Sequence, residues 1–377
     1  MGSHASVKAF GLPPISHVVP LADGTCLVTH EAPAKWQDIY VVDARTRDAV
    51  RVPSLTWGRE RADAAVGHGD AFYLGTCRGI SRVRCGTASW LYEFADLQEF
   101  SAPAPPPQYY SSPVSALCVD GAGNLWTRTG HCSTTSPCTG SIVFPLDEGR
   151  WTLRRGDREL SRPMPSARIW RVPCQAIAGD PVRPGLWAYG REDGPVAGLF
   201  YADAAVPAES DKAADLTPLP EVAYPLPETH AIRRLHHTRS AAPEGVTAPQ
   251  LQTPLIAADI TGRCWLAEGT EGAASIHVFD GQAFTNVTPP PELLRGSQLR
   301  QLVCDNSRGE LLVATSGAGV LVFDGTHWSE HLLNSVLPTV KDTEMKPVDR
   351  IAVGEDGSVW LGTSGFLLHW TRDDGQQ

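Results

Sequence analysis

The loop "GHCSTTSPCTG" concentrates the side chains best suited to chemistry, with His131, Cys132 and Cys138 close together. Two thiolates and an imidazole make three soft ligands. Structural zinc wants a fourth, and five residues between the cysteines is wider than the usual pairing. A metal site, a local disulfide and plain loop residues all stay open. Other ionisable groups come in ones and twos: His30 and Glu31, Arg128, Arg191 with Glu192 and Asp193, and Glu268 with Glu271. Histidines and carboxylates converging on one channel could hold a divalent metal ion or act as acid and base. His131, Glu268 and His237 are the candidate catalytic residues of that arrangement, and solvated surface charge is the alternative. The identity of any metal is left unknown.

The segment "ETHAIRRLHHTR" carries His230, Arg233, Arg234, His236, His237 and Arg239. Folded over a channel, His236 or His237 would serve as base, and Arg233 or Arg234 would hold an anionic group. As a surface loop it would do neither. Tyr109 and Tyr110, with Trp36, Trp57 and Trp170, could line an apolar pocket mouth. The ligand-binding candidates are therefore His30, Glu31, Trp36, Tyr109, Tyr110, Arg191, Glu192 and Arg234. The sequence has no H-E-x-x-H, no paired C-x-x-C, no G-x-S-x-G elbow and no phosphate loop. Serine nucleophile catalysis and nucleotide binding lack a motif.

The elements that must position these residues are short and repeated. A turn glycine followed three places later by a large residue recurs as Gly24/Leu27, Gly69/Phe72, Gly123/Trp126, Gly262/Trp265, Gly309/Leu312 and Gly357/Trp360, with Pro184/Trp187 as a proline variant. Around each turn stand two apolar runs, then a loop, a third run and often a fourth. The separation is 45 residues from Gly24 to Gly69, 47 from Gly262 to Gly309 and 48 from Gly309 to Gly357. That period suits blades of four antiparallel strands arranged around an axis. Neither face of such a unit is covered until neighbours stack on it.

The expected fold is all-β, a seven-bladed β-propeller spanning 1–377 as one domain. Its N-terminal segment "SVKAFGL" is expected to supply the outer strand of the last blade. Between Pro184 and Gly262 the spacing stretches to 78. Residues 221–252 are read as an inter-blade insertion or lid, with a degenerate eighth blade as the lesser alternative.

Register also reassigns residues to packing. Cys26 and Cys264 fall two places after the turn glycine and Cys118 and Cys304 five before it, where other copies carry small or aliphatic residues. Trp126, Trp187, Trp265 and Trp360 repeat in register and read as packing too. Asp280-Gly281 and Asp324-Gly325 read as hairpin turns between third and fourth strands.

"DGAGNLWTRTG", "DGSVWLGTSG" and "LLVATSGAGVLVFDGTHWSEHLLNSVLP" resemble the two-component regulator propeller repeat, over about half the chain. The resemblance implies a β-propeller, commonly an extracytoplasmic sensor module. A looser similarity links the turn phrase to the propeller lyases that open streptogramin antibiotics.

A net charge of −10 without a basic stripe argues against nucleic acid as partner, "IRRLHHTR" being the one basic cluster visible in sequence. No apolar run approaches the ~18 residues of a membrane span. With no charged start or apolar stretch in "MGSHASVKAFGLPP", a cytoplasmic location is expected unless an export signal has been cut away. Nine cysteines, an odd number, favour reduced thiols. The expected function is a soluble, monomeric propeller binding a small molecule or protein partner at the channel rim. The alternative is a metal-assisted lyase or hydrolase using channel His and Glu.

Overall fold

The computed structural model describes residues 5–11, 15–31, 37–52, 62, 64–75, 79–84, 87–93, 114–129, 140–145, 150–155, 158–163, 168–170, 175–191, 197–203, 233–235, 239–240, 243, 245–270, 274–341 and 343–372. Strand β1 (Ala5–Gly11) opens the chain. Sheet A follows with β2 (Ile15–Pro20), β3 (Thr25–Glu31), β4 (Gln37–Asp43) and β5 (Ala49–Val52). Sheet B holds β6 (Ala64–His68), β7 (Ala71–Gly75), β8 (Gly79–Arg84) and β9 (Thr87–Glu93). Sheet C begins with β10 (Val114–Val119), β11 (Asn124–Thr129) and β12 (Gly140–Pro145). A separate hairpin, β13 (Arg150–Arg155) and β14 (Arg158–Pro163), precedes β15 (Arg168–Trp170), which returns to sheet C.

Sheet D has β16 (Ala176–Gly179), β17 (Gly185–Arg191) and β18 (Ala197–Asp203). Two short strands come next: β19 (Arg233–Leu235) joins sheet C and β20 (Arg239–Ser240) completes sheet D. Sheet E is β21 (Pro254–Ala258), β22 (Cys264–Glu268), β23 (Ser275–Phe279) and β24 (Phe284–Asn286). Sheet F is β25 (Leu299–Asp305), β26 (Glu310–Thr315), β27 (Val320–Phe323) and β28 (Trp328–Glu330). Sheet G is β29 (Arg350–Val353), β30 (Val359–Gly362) and β31 (Phe366–Arg372), closed by β1, which pairs with β31 along seven residues.

The chain is thus all-β, built of mostly antiparallel four-stranded blades in a propeller. Among the described residues six sheets have the expected four strands. Sheet C corrects the expectation of seven such blades: its order is β10-β11-β12-β15-β19, and β19 pairs parallel to β15. The connection after β12 forms its own hairpin, and the fifth strand comes from the segment between β18 and β20. First strands touch in the sequence β2, β6, β10, β16, β21, β25, β29 and back to β2.

The burial pattern explains the absence of strict alternation in sequence. Second strands such as β7 and β22 are buried at every residue, because both faces of a blade are covered by its neighbours. Outer strands β24 and β28 are mostly exposed. The core lies between sheets: Trp265 packs with Leu302, Leu311 and Phe323 across E and F, and Trp360 with Cys26 and Val42 across G and A. Cys26, Cys264 and Cys304 are free thiols, and burial pushes all three well up, which suits packing and not reactivity.

Each turn glycine of the repeat has positive φ, from +59 at Gly69 to +84 at Gly262, where a side chain would be strained. The turn also has an anchor that composition does not announce. Asp120 Oδ1 accepts from the Ala122 and Asn124 amides while its Oδ2 accepts from Trp126 Nε1 at 2.8 Å. Asp259 does the same for Thr261, Arg263 and Trp265, the last at 2.9 Å. In sheet D, Asp180 Oδ2 instead takes Arg183 Nε at 2.7 Å and the Tyr201 hydroxyl at 3.1 Å, and the buried Trp187 Nε1 makes no hydrogen bond. The Asp-Gly hairpins form as expected, and amide donors from Thr326 and His327 hold the Asp324 carboxyl down at about 2.

Candidate functional site

Register places the start of every first strand beside the end of the second. Ile15 pairs with His30, Pro254 with Glu268, Leu299 with Thr315 and Arg350 with Gly362. The loops after the second strands therefore share one rim, opposite the rim of the glycine turns.

Glu268 ends β22 on that rim and is 6% exposed. Its carboxylate accepts from Gln252 N at 2.5 Å, Thr253 N at 3.2 Å, Thr253 Oγ1 at 2.5 Å and Thr270 N at 3.2 Å. Burial alone would raise its pKa, but these donors outweigh it and hold the group below the ordinary glutamate value. The carboxylate fastens the incoming connector 252–253 to the loop that leaves the blade.

Other polar groups on this rim are committed in the same way. His17 Nδ1 bonds Thr29 Oγ1 at 2.8 Å, and Ser316 Oγ accepts the Gln298 amide at 2.9 Å. Arg350 donates through Nε to the Ser16 carbonyl at 2.5 Å, closing sheet G on sheet A, and through Nη1 to its neighbour Asp349 at 2.8 Å. Arg128 Nη1 donates to the Gln175 carbonyl. The connector from β20 to β21 fills the rim at sheet D: Gln250 pairs with both backbone groups of Ala197, and Tyr189 Oη donates to Pro249 O and accepts from Leu251 N.

The connector from sheet F to sheet G is the most built-up described part of the rim. A 3-10 helix, Leu332–Ser335, follows His331, whose Nδ1 accepts from Leu333 N at 3.1 Å. Asn334 accepts from Val320 N and donates to the Ala318 and Val320 carbonyls, and Lys346 Nζ reaches Asn334 O at 2.6 Å. Burial, then the nearby Arg308, pushes His331 down to about 4. Apolar side chains stand out from this framework: Leu332 is 64% exposed, Val336 50%, Val340 44%, Met345 47%, and Phe366 at the start of β31 43%.

Of the residues singled out by sequence, Glu268 and Arg128 are those whose side chains are described on this rim. His30 and Glu31 end β3 and Arg191 ends β17, so their backbones reach the rim; Arg234 lies in β19, on the outer edge of sheet C. Side-chain positions of these four, and all of Trp36, Tyr109, Tyr110, His131, Glu192 and His237, fall outside the described residues, as do Asp193, His236 and Glu271. The two strands that flank His237 run along the outer edges of sheets C and D. Among the described residues no three His, Cys, Asp or Glu side chains gather as a metal set, and no helix is long and apolar enough to cross a membrane.

Sequence reasoning missed Gln250 and Tyr189, and none of its candidate site residues falls in sheets F and G. The available signal was the pair Leu332 and Val336, four residues apart and followed by Val340 and Met345 in a connector.

Comparison with solved structures supports the fold. A streptogramin B lyase aligns over 98% of this chain and 98% of its own, with 12% identity and a TM-score of 0.55. A chain of the mitotic checkpoint complex aligns over 97% of this chain and 94% of its own, at 11% identity and TM-score 0.51. The extracellular domain of a hybrid two-component system from B. thetaiotaomicron aligns over 97% of this chain but 40% of its own, at 12% identity and TM-score 0.50. No family model and no curated protein matches. The likeness to two-component regulator propellers therefore stands at the level of fold.

Proposed function

We propose that this chain is a seven-bladed propeller that binds a small molecule or a protein segment on the loop rim, beside the connector between sheets F and G. The count of seven rests on sheet C taking the third place in the closed series of first strands. The observation that carries the function is the state of Glu268. A general base needs a lone pair facing substrate and a pKa near the working pH. Glu268 instead has four internal donors and a lowered pKa, so its role is to hold a loop. The apolar side chains of the F-to-G connector are what this part of the rim offers to a ligand.

Metal-assisted lyase or hydrolase chemistry is the competing reading, and binding of an apolar probe separates the two. Titration with 8-anilinonaphthalene-1-sulfonate should give saturable fluorescence, weakened roughly tenfold in Val336→Asp and in Met345→Asp through loss of apolar contact. Both variants should melt like the parent. Equal probe affinity in all three proteins would reject the connector as the binding surface.

A further inference from the structure

The first strands form the inner wall of the ring. Each stands at the end of its sheet and touches the first strand of the next blade, so its unpaired edge faces the axis. This wall is nearly free of acid in a chain of net charge −10. Strands β2, β6, β10, β16, β21, β25 and β29 carry two arginines, Arg300 and Arg350, and one carboxylate, Asp305. Asp305 is buried at the turn end, where Ser307 donates to it. Both arginines stand at the loop end.

A β-bulge sets Arg300 apart. The ladder passes from Leu299 with Thr315 to Gln301 with Ala314, so Arg300 is an extra residue without a partner on β26. Sheets A and C have the same irregularity at the same place, and there the extra residue is Ser16 or Ser115. A bulge re-aims a side chain, and in sheet F the re-aimed residue is a cation. Arg300 is exposed, and among the described residues no hydrogen bond or ion pair engages its guanidinium; Glu344 and Asp349, the described carboxylates of the F-to-G connector, do not pair with it. Beside it, Gln301 Oε1 accepts from Ile351 N at 3.1 Å, which leaves the amide NH2 as a further donor at the seam between F and G.

The apolar connector adjoins this point. A β-carbon on Gly317 would stand 3.0 Å from Ser297 Oγ and 3.2 Å from Met345 Cε, so Met345 is one glycine away from the segment that leads into Arg300. Val340 is tied to Met345 by its amide, at 2.9 Å, and both side chains are exposed. We propose that the ligand of the loop rim is a small apolar molecule bearing a carboxylate. Arg300 and the Gln301 amide take the carboxylate at the mouth of the axial channel, and the apolar body rests on Met345 and Val340. This rests on the reading of the connector as a binding surface and names what it binds. One guanidinium fork and a neutral amide match a planar monoanion, whereas a phosphate dianion calls for more positive charge.

The test is isothermal titration calorimetry of the full chain with naphthoate, naphthalenemethanol and naphthyl phosphate, which share one apolar body. Naphthoate should bind saturably and at least about tenfold tighter than the alcohol. Arg300→Gln should weaken naphthoate by about tenfold, leave the alcohol unchanged and melt like the parent, since the guanidinium holds nothing in the fold. Met345→Ser should weaken both ligands severalfold. Absence of saturable naphthoate binding would overturn the proposal. Equal affinity for acid and alcohol, or for naphthoate in parent and Arg300→Gln, would overturn the carboxylate assignment, and a loss in Met345→Ser would then still support the connector as a binding surface. No change in Met345→Ser would overturn the connector's part in it. Tighter binding of the phosphate than of naphthoate would overturn the choice of a carboxylate.

Discussion

The two rims of the ring use the same strands for opposite purposes. On the turn rim one device recurs: a buried aspartate, Asp120, Asp180, Asp259 or Asp305, closes its own turn and then reaches an indole or an arginine. On the loop rim the described connections each differ, with Glu268 at E, Gln250 and Tyr189 at D, Asn334 at F and Arg350 between G and A. What recurs in a repeat protein is architecture, so the non-recurring rim is where selection for a ligand has room to act.

Disrupting the turn rim should give the largest effect. Trp265→Ala removes a buried ring from the E–F core and takes one of two donors from Asp259 Oδ2, leaving Arg263 Nε. It should cost about 3–5 kcal/mol, read as a lower denaturation midpoint with an unchanged slope. Comparable stability in this variant would mean that the recurring device is not what holds the blades.

A second effect of similar size should appear with pH. His331 is neutral in the fold because its pKa is pushed down to about 4, while the unfolded chain takes up its proton near 6.5. Its contribution is therefore present above pH 6.5 and is lost as pH falls toward 4, on the order of 3 kcal/mol in all. Replacing His331 with Asn, which keeps an acceptor for Leu333 N, should flatten the stability profile in that window. An unaltered slope would show that this histidine is not buried as described.

Glu268→Gln should cost about 1–3 kcal/mol, because one charged acceptor becomes a donor facing amides. The lowered pKa adds a pH signature: the carboxylate's stabilisation is present above the unfolded glutamate value and is lost as pH falls through the folded one. Thermal melts of parent and variant at pH 7 and pH 4 would read both. A variant that melts like the parent at pH 7 would free Glu268 for chemistry.

Much of the ring was legible because a period exposes itself. The turn glycines, the Asp-Gly hairpins, the cysteines in packing slots and the closure of sheet G by β1 all follow from aligning copies. The aspartate anchors were also within reach, since Asp120 and Asp259 each stand six residues before their tryptophan. Contacts that no period encodes stayed hidden. Glu268 is met by donors 15 and 16 residues upstream, and the pairing of Arg168 with Arg233 crosses an entire blade. No candidate residue read from the sequence lies in sheets F and G, yet their connector carries exposed apolar side chains.

The most direct test of the claim that this rim binds and does not perform metal chemistry is elemental analysis of the full chain, purified without a metal column or chelator. The account predicts no divalent ion at a stoichiometric level, since the Glu268 oxygens are already committed to four donors. A divalent ion near one per chain would contradict it and move the lyase or hydrolase reading to the front.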